Sequence, residues 1–325
     1  MTRAVLASRS ATPAVTDVEI GDPGPGEALL DVTLSSVNYK DGLALAGNPG
    51  VARVDPLVPG IDAVGTVAAV GSGVTDVAVG DRVVLNGAGL GETRHGGWAE
   101  RALAPAGSLV RLPDDMPDER AAAIGTAGFT AMLSVLALEH VVVPEDGPIL
   151  VTGASGGVGT VAIALLAARG YTVTASTGRP ENDASLRALG ATEVIDRAAI
   201  AELGKPMQRA IWAGAVDSVG GATLANVLAS TKWGGAVTAC GLAQDSALPT
   251  TVLPFILRGV SLLGVNSVDA PLPVRKRAWD RLVSDLDPAL LAGVTRTVDL
   301  AAAIEVGAEV VAGRVHGRTV VDVRR

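Results

Sequence analysis

Hydrophobic and polar positions follow two different patterns along the chain. Up to about Arg120 the apolar residues come in short runs between glycine- and proline-rich turns, a pattern that predicts many short strands and a small barrel-like domain. The strand candidates in this part are Val5-Leu6, Ala28–Leu34, Ala63–Val70, Asp81–Leu85 and Ser108–Leu112.

From about Pro117 the apolar positions group into helix-sized units. A helix is predicted over Ala121–Glu139, followed by strands that alternate with helices, which predicts a parallel, doubly wound α/β sheet. The six strand candidates are Ile149–Thr152, Tyr171–Ala175, Glu193–Ile195, Ala215–Val219, Ala236–Cys240 and Val260–Val265. A final helix and strand, Ala301–Ala312 and Arg318–Val323, are expected to rejoin the first domain. The predicted boundaries are therefore 1–120, 121–265 and a C-terminal return over 266–325.

The segment Ile149–Gly159 links the first of these strands to its helix through a glycine turn. Residues without a Cβ allow the backbone to approach a pyrophosphate closely, and the N–H groups and dipole of the following helix favour an anion. Against the pattern G-x-G-x-x-G the chain has Ala154, Ser155, Gly156, Gly157, Val158 and Gly159, so alanine replaces the first glycine. Alone this match is weak, and a turn that binds nothing remains an alternative.

Composition and charge narrow the class of partner. Apolar residues make up 48% and charged residues 18%, which fits a compact protein rather than disorder. The net charge is −8 with scattered basic residues, which argues against nucleic acid as partner. The single cysteine, Cys240, cannot form an internal disulfide, so a cytoplasmic location is expected.

Two uncharged stretches, Ala121–Leu138 and Gly147–Ala168, reach membrane-spanning length. Glycine, serine and threonine interrupt both, and the second changes from strand to helix, so buried core is the favoured interpretation and no membrane contact is expected. The apolar run near the N-terminus is too short for a signal-peptide core.

Seven phrases make the resemblance of this chain specific. Together with a barrel-like domain, a dinucleotide sheet and a C-terminal return, they resemble the acrylyl-coenzyme A reductase branch of the medium-chain dehydrogenase/reductase superfamily, a zinc-free branch often labelled quinone oxidoreductase-like. The resemblance implies a Rossmann sheet and a GroES-like, mostly β, barrel-like catalytic domain. The phrases are Ser35-Ser-Val-Asn-Tyr-Lys-Asp-Gly42, Pro59-Gly-Ile-Asp-Ala-Val-Gly65, His95-Gly-Gly-Trp-Ala-Glu100, Gly125-Thr-Ala-Gly-Phe-Thr-Ala-Met-Leu133, Trp212-Ala-Gly-Ala-Val-Asp-Ser-Val-Gly220, Ala239-Cys-Gly-Leu242 and Leu248-Pro-Thr-Thr-Val-Leu-Pro-Phe-Ile-Leu-Arg258.

Other branches of this superfamily are zinc alcohol dehydrogenases, so the metal ligands are the next question. Catalytic zinc needs three ligands, typically Cys, His and Asp or Glu, around an open position. At the corresponding places this chain has Asn38-Tyr-Lys-Asp41 and Gly60-Ile61-Asp62, with neither cysteine nor histidine. No catalytic metal is therefore expected.

The end of the second Rossmann strand indicates the cofactor. NAD enzymes usually carry an acidic residue about 20 positions beyond the glycines, whereas this chain has Ser176-Thr177-Gly-Arg179. Two hydroxyls and a guanidinium suit a 2′-phosphate, so NADPH is the expected cofactor, the alternative being that Arg179 is a solvated loop residue. The resemblance adds further cofactor-lining positions: Tyr39, Arg197, Leu242, Ile256, Ser267 and, more weakly, Arg314. Leu242 and Ile256 could equally be core residues.

Without a metal, reduction of an activated C=C bond is the favoured chemistry. Tyr39 is predicted to lie at the reacting centre as a donor, with Asn38 donating to a carbonyl or to the cofactor ribose. A buried Tyr39 ring whose hydroxyl finds a backbone partner is the alternative. His95 is expected to orient a loop, His140 and His316 to lie at the surface, and Lys40 and Asp41 to form a local pair.

Substrate and assembly follow mainly from the resemblance. It implies NADPH-dependent reduction of acrylyl-coenzyme A to propionyl-coenzyme A, for which a basic rim could be formed by Arg53, Arg94, Arg275, Lys276 and Arg277. A reductase of quinones or other small α,β-unsaturated carbonyls, and a non-catalytic NADPH-binding protein, remain open alternatives. A homodimer joined through the sheet edge at Val260–Val265 is expected.

Overall fold

The computed structural model describes residues 1–325, which form two compact units. The first comprises Met1–Phe129, Ser267–Asp280 and Leu291–Arg325, and the second comprises Thr130–Asn266 and Arg281–Leu290. The first unit thus runs to Phe129 rather than to residue 120, and Arg281–Leu290 groups with the second unit instead of the first. The ion pair of Arg281 with Glu139 links that segment to the rest of the second unit.

The chain forms fifteen strands and ten α-helices. The strands are β1 Thr2–Ser8, β2 Ala11–Val18, β3 Glu27–Ser36, β4 Asp62–Val70, β5 Arg82–Asn86, β6 Arg101–Pro105, β7 Val110–Arg111, β8 Ile149–Val151, β9 Val173–Thr177, β10 Glu193–Asp196, β11 Trp212–Asp217, β12 Thr231–Ala239, β13 Ser261–Gly264, β14 Thr295–Asp299 and β15 Arg318–Asp322. The helices are α1 Tyr39–Leu45, α2 Asp118–Leu138, α3 Gly157–Ala168, α4 Asp183–Ala188, α5 Ala198–Ala201, α6 Gly221–Ala229, α7 Leu253–Arg258, α8 Leu272–Asp285, α9 Pro288–Ala292 and α10 Leu300–Val311.

The first unit is built on a seven-stranded sheet of order β14-β15-β3-β4-β5-β7, with β6 also pairing β3, and a separate β1-β2 hairpin. All pairs are antiparallel except β14 with β15. Its core is aliphatic, with Trp98 the largest fully buried side chain. The register places Ser36 opposite Val320 and Asp62 opposite Asn86, so the end of β3 and the starts of β4 and β15 meet at one edge.

The second unit contains a six-stranded parallel sheet of order β10-β9-β8-β11-β12-β13. This is the strand order of a dinucleotide-binding sheet, with its reversal between β8 and β11. The predicted doubly wound sheet and the mostly β first domain are thus both confirmed.

Helix α2 is long and apolar enough, by length and composition, to span a membrane, but 83% of its most apolar window is buried in the fold. It is also interrupted at Gly125, whose φ of 48° and ψ of −163° are not helical. The second stretch of membrane-spanning length becomes β8, the glycine turn and α3. Both stretches are therefore core elements, as the polar interruptions in the sequence predicted.

Candidate active site

Tyr39 is the first residue of α1, and its side chain is 38% exposed. No hydrogen bond within the chain engages its hydroxyl, so the alternative of a buried ring with a backbone partner is wrong. The phenol is therefore available to a ligand as donor or acceptor.

Asp41 lies in the first turn of the same helix, and its side chain is fully buried. Its carboxylate accepts hydrogen bonds from three backbone N–H groups: Asn38 at 2.7 Å, Gly60 at 3.0 Å and Ile61 at 2.9 Å. Burial raises the pKa of Asp41 to about 7, the nearby charge of Asp62 adds to this, and the three hydrogen bonds oppose it. The predicted Lys40–Asp41 pair is wrong: Lys40 pairs with Glu92 at 2.9 Å, because Asp41 is committed to the backbone.

Asn38 immediately precedes α1, and every hydrogen-bonding atom of its carboxamide is bonded to another side chain of the protein. Its Nδ2 donates to Asp62 Oδ2 at 2.8 Å and to Ser36 Oγ at 3.1 Å, while its Oδ1 accepts from Arg318 Nη1 at 3.2 Å. Both amide hydrogens are thus already donated within the protein, which leaves the predicted donation to a substrate or ribose without a free N–H.

Asp62 is the buried acceptor to which these side chains converge. Besides Asn38, it accepts from the hydroxyl of Ser36 at 2.5 Å, from Asn86 Nδ2 at 2.7 Å, and from the backbone N–H and hydroxyl of Thr126 at 2.9 Å and 2.6 Å. A buried carboxylate requires such compensation because its desolvation is costly.

Arg318, at the start of β15, supplies the positive charge of this cluster. It is buried and donates to the carbonyl of Ala123 at 2.7 Å, to Asn38 Oδ1 and, at 2.9 Å, to Ser36 Oγ. Burial lowers the pKa of Arg318, and the charges of Asp62 and Asp41 oppose this. A Cβ on Gly125 would lie 2.6 Å from Arg318 Nη2 and 2.7 Å from Asp62 Oδ2, so only glycine fits there.

The three histidines of the chain differ in burial. His95 Nδ1 accepts the N–H of Val58 at 3.1 Å, which places the proton of the neutral ring on Nε2, and burial lowers the pKa of His95. This geometry fits the predicted loop-orienting role. His140 is exposed and His316 half-buried.

The metal-ligand positions of zinc dehydrogenases are occupied differently in this chain. Asn38 and Asp62 are bound to one another, and Ile61 between them has no ligand atom. No group of three or more His, Cys, Asp or Glu side chains is arranged to hold a metal ion. Metal independence stays a prediction that rests on this donor set.

Burial raises the pKa of Cys240 to about 12, so this thiol is protonated at neutral pH.

In the second unit, the glycine turn has the geometry of a phosphate cradle. Gly153 has a φ of 60°, and α3 begins at Gly157 with Gly156 as its N-cap. The N–H groups of residues 157–159 precede the first intrahelical bond, from Thr160 to Gly156. A Cβ on Gly159 would lie 2.5 Å from the carbonyl oxygen of Gly153, so the turn could not close on a larger residue. Ala154 and Ser155 are buried, and Val158 is half-buried.

Asp217, which the sequence did not single out, supports this turn from beneath. It is fully buried at the end of β11, where its carboxylate accepts from Thr152 Oγ1 at 2.6 Å and from the N–H of Gly220 at 2.8 Å. Burial raises the pKa of Asp217 and these bonds oppose the shift. The ends of β8 and β11 are thereby tied together.

The predicted 2′-phosphate site lies at the end of β9. Ser176 and Thr177 are buried, and the hydroxyl of Thr177 lies 2.7 Å from that of Ser155 and accepts from the N–H of Arg179 at 3.1 Å. Burial lowers the pKa of Arg179, Glu181 opposes this, and the positive charge of Arg197 adds to the lowering. The side chain of Arg197 is exposed, crosses Gly178 and has no acidic partner. Two guanidinium groups are thus close enough to repel, an arrangement that an anion would relieve.

The remaining predicted cofactor positions differ in exposure. Leu242 and Ile256 are 58% and 69% exposed, so the core alternative is wrong for both. Ser267 is buried, and Arg314 is exposed and bound to Glu309 at 2.6 Å.

The proposed basic rim is only partly available. Arg275 is buried and donates to the carbonyls of Asn86, Val268 and Ala270, so its assignment to a surface rim is wrong. Arg94 pairs with Glu27, whereas Arg53, Lys276 and Arg277 are exposed.

Two family models match most of the chain. The alcohol dehydrogenase GroES-like domain matches residues 24–114, and the zinc-binding dehydrogenase model matches residues 157–284. Among curated proteins, acrylyl-CoA reductase AcuI of Ruegeria pomeroyi is 48% identical over 95% of this chain and 94% of its own length. The putative quinone oxidoreductase YhfP of Bacillus subtilis is 45% identical over 90% and 89%.

Solved structures of oxidoreductases are also similar to this chain over nearly its whole length. The YhdH oxidoreductase of Salmonella enterica in complex with NADP superimposes with a TM-score of 0.94 at 44% identity, covering 98% of this chain and 99% of that one. Bacillus subtilis YhfP with NAD bound has a TM-score of 0.91 at 41% identity, covering 99% of both chains. These relatives thus carry both forms of the nucleotide.

The titration of Asp41 leads to a prediction for stability. Its pKa in the fold, about 7, lies above the value of 3.8 for an exposed carboxyl, so the folded protein holds an additional proton between about pH 4 and 7. The corresponding stabilisation is complete below this window and is lost as the pH rises through 7. We therefore expect Asp41→Asn to remove a slope of about −1.4 kcal/mol per pH unit from the free energy of unfolding in this window. Urea unfolding of both proteins across it measures the slope, and equal slopes would contradict the assignment.

Proposed function

The chain belongs to the medium-chain dehydrogenase/reductase superfamily, in its acrylyl-coenzyme A reductase branch, and we propose that it reduces the C=C bond of acrylyl-coenzyme A to give propionyl-coenzyme A. As a member it is an NADPH-dependent oxidoreductase. The observation that carries the proposal is the cluster beside Tyr39. At the positions that correspond to zinc ligands in related alcohol dehydrogenases, Asn38 and Asp62 hydrogen-bond to each other and Ile61 has no ligand atom. The neighbouring phenol is exposed and unpartnered.

This cluster favours alkene over carbonyl reduction. Bound NADPH would supply a hydride for the β-carbon, and the protein must then provide for a proton at the α-carbon. The negative charge in between is spread over a thioester enolate, which needs hydrogen-bond donors but no Lewis acid. A simple ketone would give a localised alkoxide, for which this site has no metal ligands. Tyr39 is the donor that we assign to the enolate oxygen or to the α-carbon, and its hydroxyl is free for either role.

The second unit fits a phosphorylated nucleotide. Because Gly159 has no Cβ, the turn can close against the carbonyl of Gly153, and the N–H groups of residues 157–159 suit a pyrophosphate. Arg179 and Arg197 would hold the 2′-phosphate, and the terminal acidic residue of NAD sites is absent from β9. Since relatives carry both NADP and NAD, these arginines are the basis for choosing NADPH here.

Two alternatives differ from this proposal in substrate and in class. A reductase of quinones or other small enones would use the same residues, and a relative at 45% identity is named a putative quinone oxidoreductase. A non-catalytic NADPH-binding protein would need no free phenol, and the exposed Tyr39 disfavours it.

Assembly and location are also proposals. Strand β13 is one of the two edge strands of the six-stranded sheet, and exposed Ile256 and Leu257 precede it, which suits pairing with a second copy. Sedimentation as a monomer would reject the dimer.

A soluble protein with one unpaired cysteine suits the cytoplasm.

A substrate panel tests the function directly. We expect NADPH oxidation to be faster with acrylyl-coenzyme A than with crotonyl-coenzyme A or a benzoquinone, and to be unaffected by a chelator. Preference for the quinone would favour the second hypothesis, and NADPH binding without turnover would favour the third. Loss of activity on chelation, restored by zinc, would contradict the metal-free mechanism.

The two tyrosines of the chain provide a matched pair for the role of Tyr39. Tyr39→Phe is expected to lower kcat roughly 10²-fold, since it removes the donor. Tyr171→Phe is the control, because the Tyr171 hydroxyl donates to the carbonyl of Val142 at 2.7 Å and supports the fold. It is expected to lower Tm and leave kcat unchanged. Full activity of Tyr39→Phe would remove Tyr39 from the mechanism.

Cofactor preference is tested at Arg197. Arg197→Ala is expected to raise KM for NADPH about ten- to hundredfold and to leave KM for NADH unchanged, since only the 2′-phosphate contact is lost. Arg209→Ala is the control, because Arg209 is also exposed and unpaired but lies next to Gln208, whose N–H bonds to Ala229 at the C-terminal end of α6. Equal effects on both nucleotides would contradict the assignment.

A further inference from the structure

The carboxamide of Asn38 can take only one orientation in this structure. Its NH₂ group faces the Asp62 carboxylate and its oxygen faces the Arg318 guanidinium. Rotating the amide by 180° would direct oxygen at carboxylate and NH₂ at guanidinium, and both contacts would be repulsive. Asn38 is thus clamped between opposite charges.

We call the group formed by Ser36, Asp62 and Arg318 around the carboxamide of Asn38 the clamp. Ser36 contacts every other member of it. Its hydroxyl donates to Asp62 at 2.5 Å and accepts from Arg318 at 2.9 Å and from Asn38 at 3.1 Å. One O–H and two lone pairs are therefore all used, and the serine is fully buried. A single hydroxyl joins both charges and the amide.

The clamp fixes the start of a helix that is too short to be stable in isolation. Helix α1 has seven residues, too few for stability on its own. Its start is fixed at two points: the side chain of Asn38 in the clamp, and the N–H of Asn38 on the Asp41 carboxylate. Tyr39 is the next residue, so the direction of its ring depends on both anchors.

We propose that Ser36, Asp62 and Arg318 are positioning residues for Tyr39, acting through the clamped carboxamide of Asn38. Asn38 is then a brace rather than a donor to substrate. The proposal rests on the function assigned to Tyr39 above, and it assigns to the C-terminal strand β15, through Arg318, a part in setting the geometry of the reactive phenol.

Two adjacent serines allow a matched test. Ser35 and Ser36 are both fully buried on β3, and the hydroxyl of each donates to Asp62. Ser36 donates to the carboxylate of Asp62, whereas Ser35 donates to the backbone carbonyl of Asp62 at 2.6 Å and takes no part in the clamp. We expect Ser36→Ala to lower kcat at least tenfold with KM for NADPH unchanged, since small displacements of a reacting group are costly. Ser35→Ala is expected to lower Tm and leave kcat at the wild-type value.

Repeating both substitutions in Tyr39→Phe shows whether the clamp acts through the phenol. If it does, Ser36→Ala has less than about a twofold further effect on kcat there, because effects through a shared group are non-additive. The same fold loss in both backgrounds, or an equal kcat loss in Ser35→Ala, would overturn the proposal. Arg318→Lys is a second variant that keeps the charge and loses the guanidinium geometry, and it is expected to behave like Ser36→Ala.

A spectroscopic measurement separates this proposal from the function itself. In Tyr171→Phe the only tyrosine is Tyr39, so incorporation of fluorotyrosine gives one ¹⁹F resonance that reports its ring. Ser36→Ala and Arg318→Lys are expected to shift or broaden that resonance, and Ser35→Ala to leave it in place. This outcome in a protein that turns over no enone would refute the proposed function and retain the clamp. An unchanged resonance in Ser36→Ala within an active protein would refute the clamp alone.

Discussion

The burial of the Asp62 carboxylate is the constraint on which the first unit depends. A charged group without water must be met by donors, and here they come from the end of β3, the residue before α1, the end of β5 and the kink of α2. Satisfying one carboxylate therefore fixes the relative positions of four segments that are distant in sequence. The same requirement explains why α2 breaks at Gly125: the break turns the N–H of Thr126 onto Asp62, and the missing Cβ makes room for Arg318.

The second unit follows the same principle on a smaller scale. Asp217 is buried at the end of β11, and its acceptors are filled by Thr152 and by the N–H groups that lead into α6. The glycine turn begins directly after Thr152, so its starting point is fixed by a charged group beneath it. In both units, a buried carboxylate at a strand terminus holds the segment to which function is assigned.

The sequence predicted the sheets well and the polar clusters poorly, for physical reasons. The periodicity of apolar residues and the spacing of glycines report which residues face a core, and these signals located β8, β10 and β13 to within one residue at each end. They missed β2, which is mostly exposed and contains Pro13, and α8, whose composition is polar although Arg275 and Trp279 are buried in it. Tyr39, Arg179 and Arg197 were proposed as site residues from matched phrases and residue chemistry, and these assignments stay predictions. Asp62 was noted only as a position without a zinc ligand. Arg318 and Ser36 were missed because a buried charge pair depends on distant segments meeting, which no local pattern reports. The one available signal was an arginine at the start of a buried strand, Arg318-Thr-Val-Val-Asp322.

The distribution of charge explains how a chain of net charge −8 can attract an anionic cofactor. Buried carboxylates such as Asp41, Asp62 and Asp217 are each compensated by donors, so they add little field at the surface. Several surface arginines are paired, as in Arg187 with Asp183 and Arg314 with Glu309. Arg197 is not paired, and it lies near a second guanidinium. Mutual repulsion of two cations costs free energy, and a phosphate bound to both would recover it. We therefore expect affinity for a phosphorylated nucleotide to depend on this local pair of cations rather than on the overall charge of the chain.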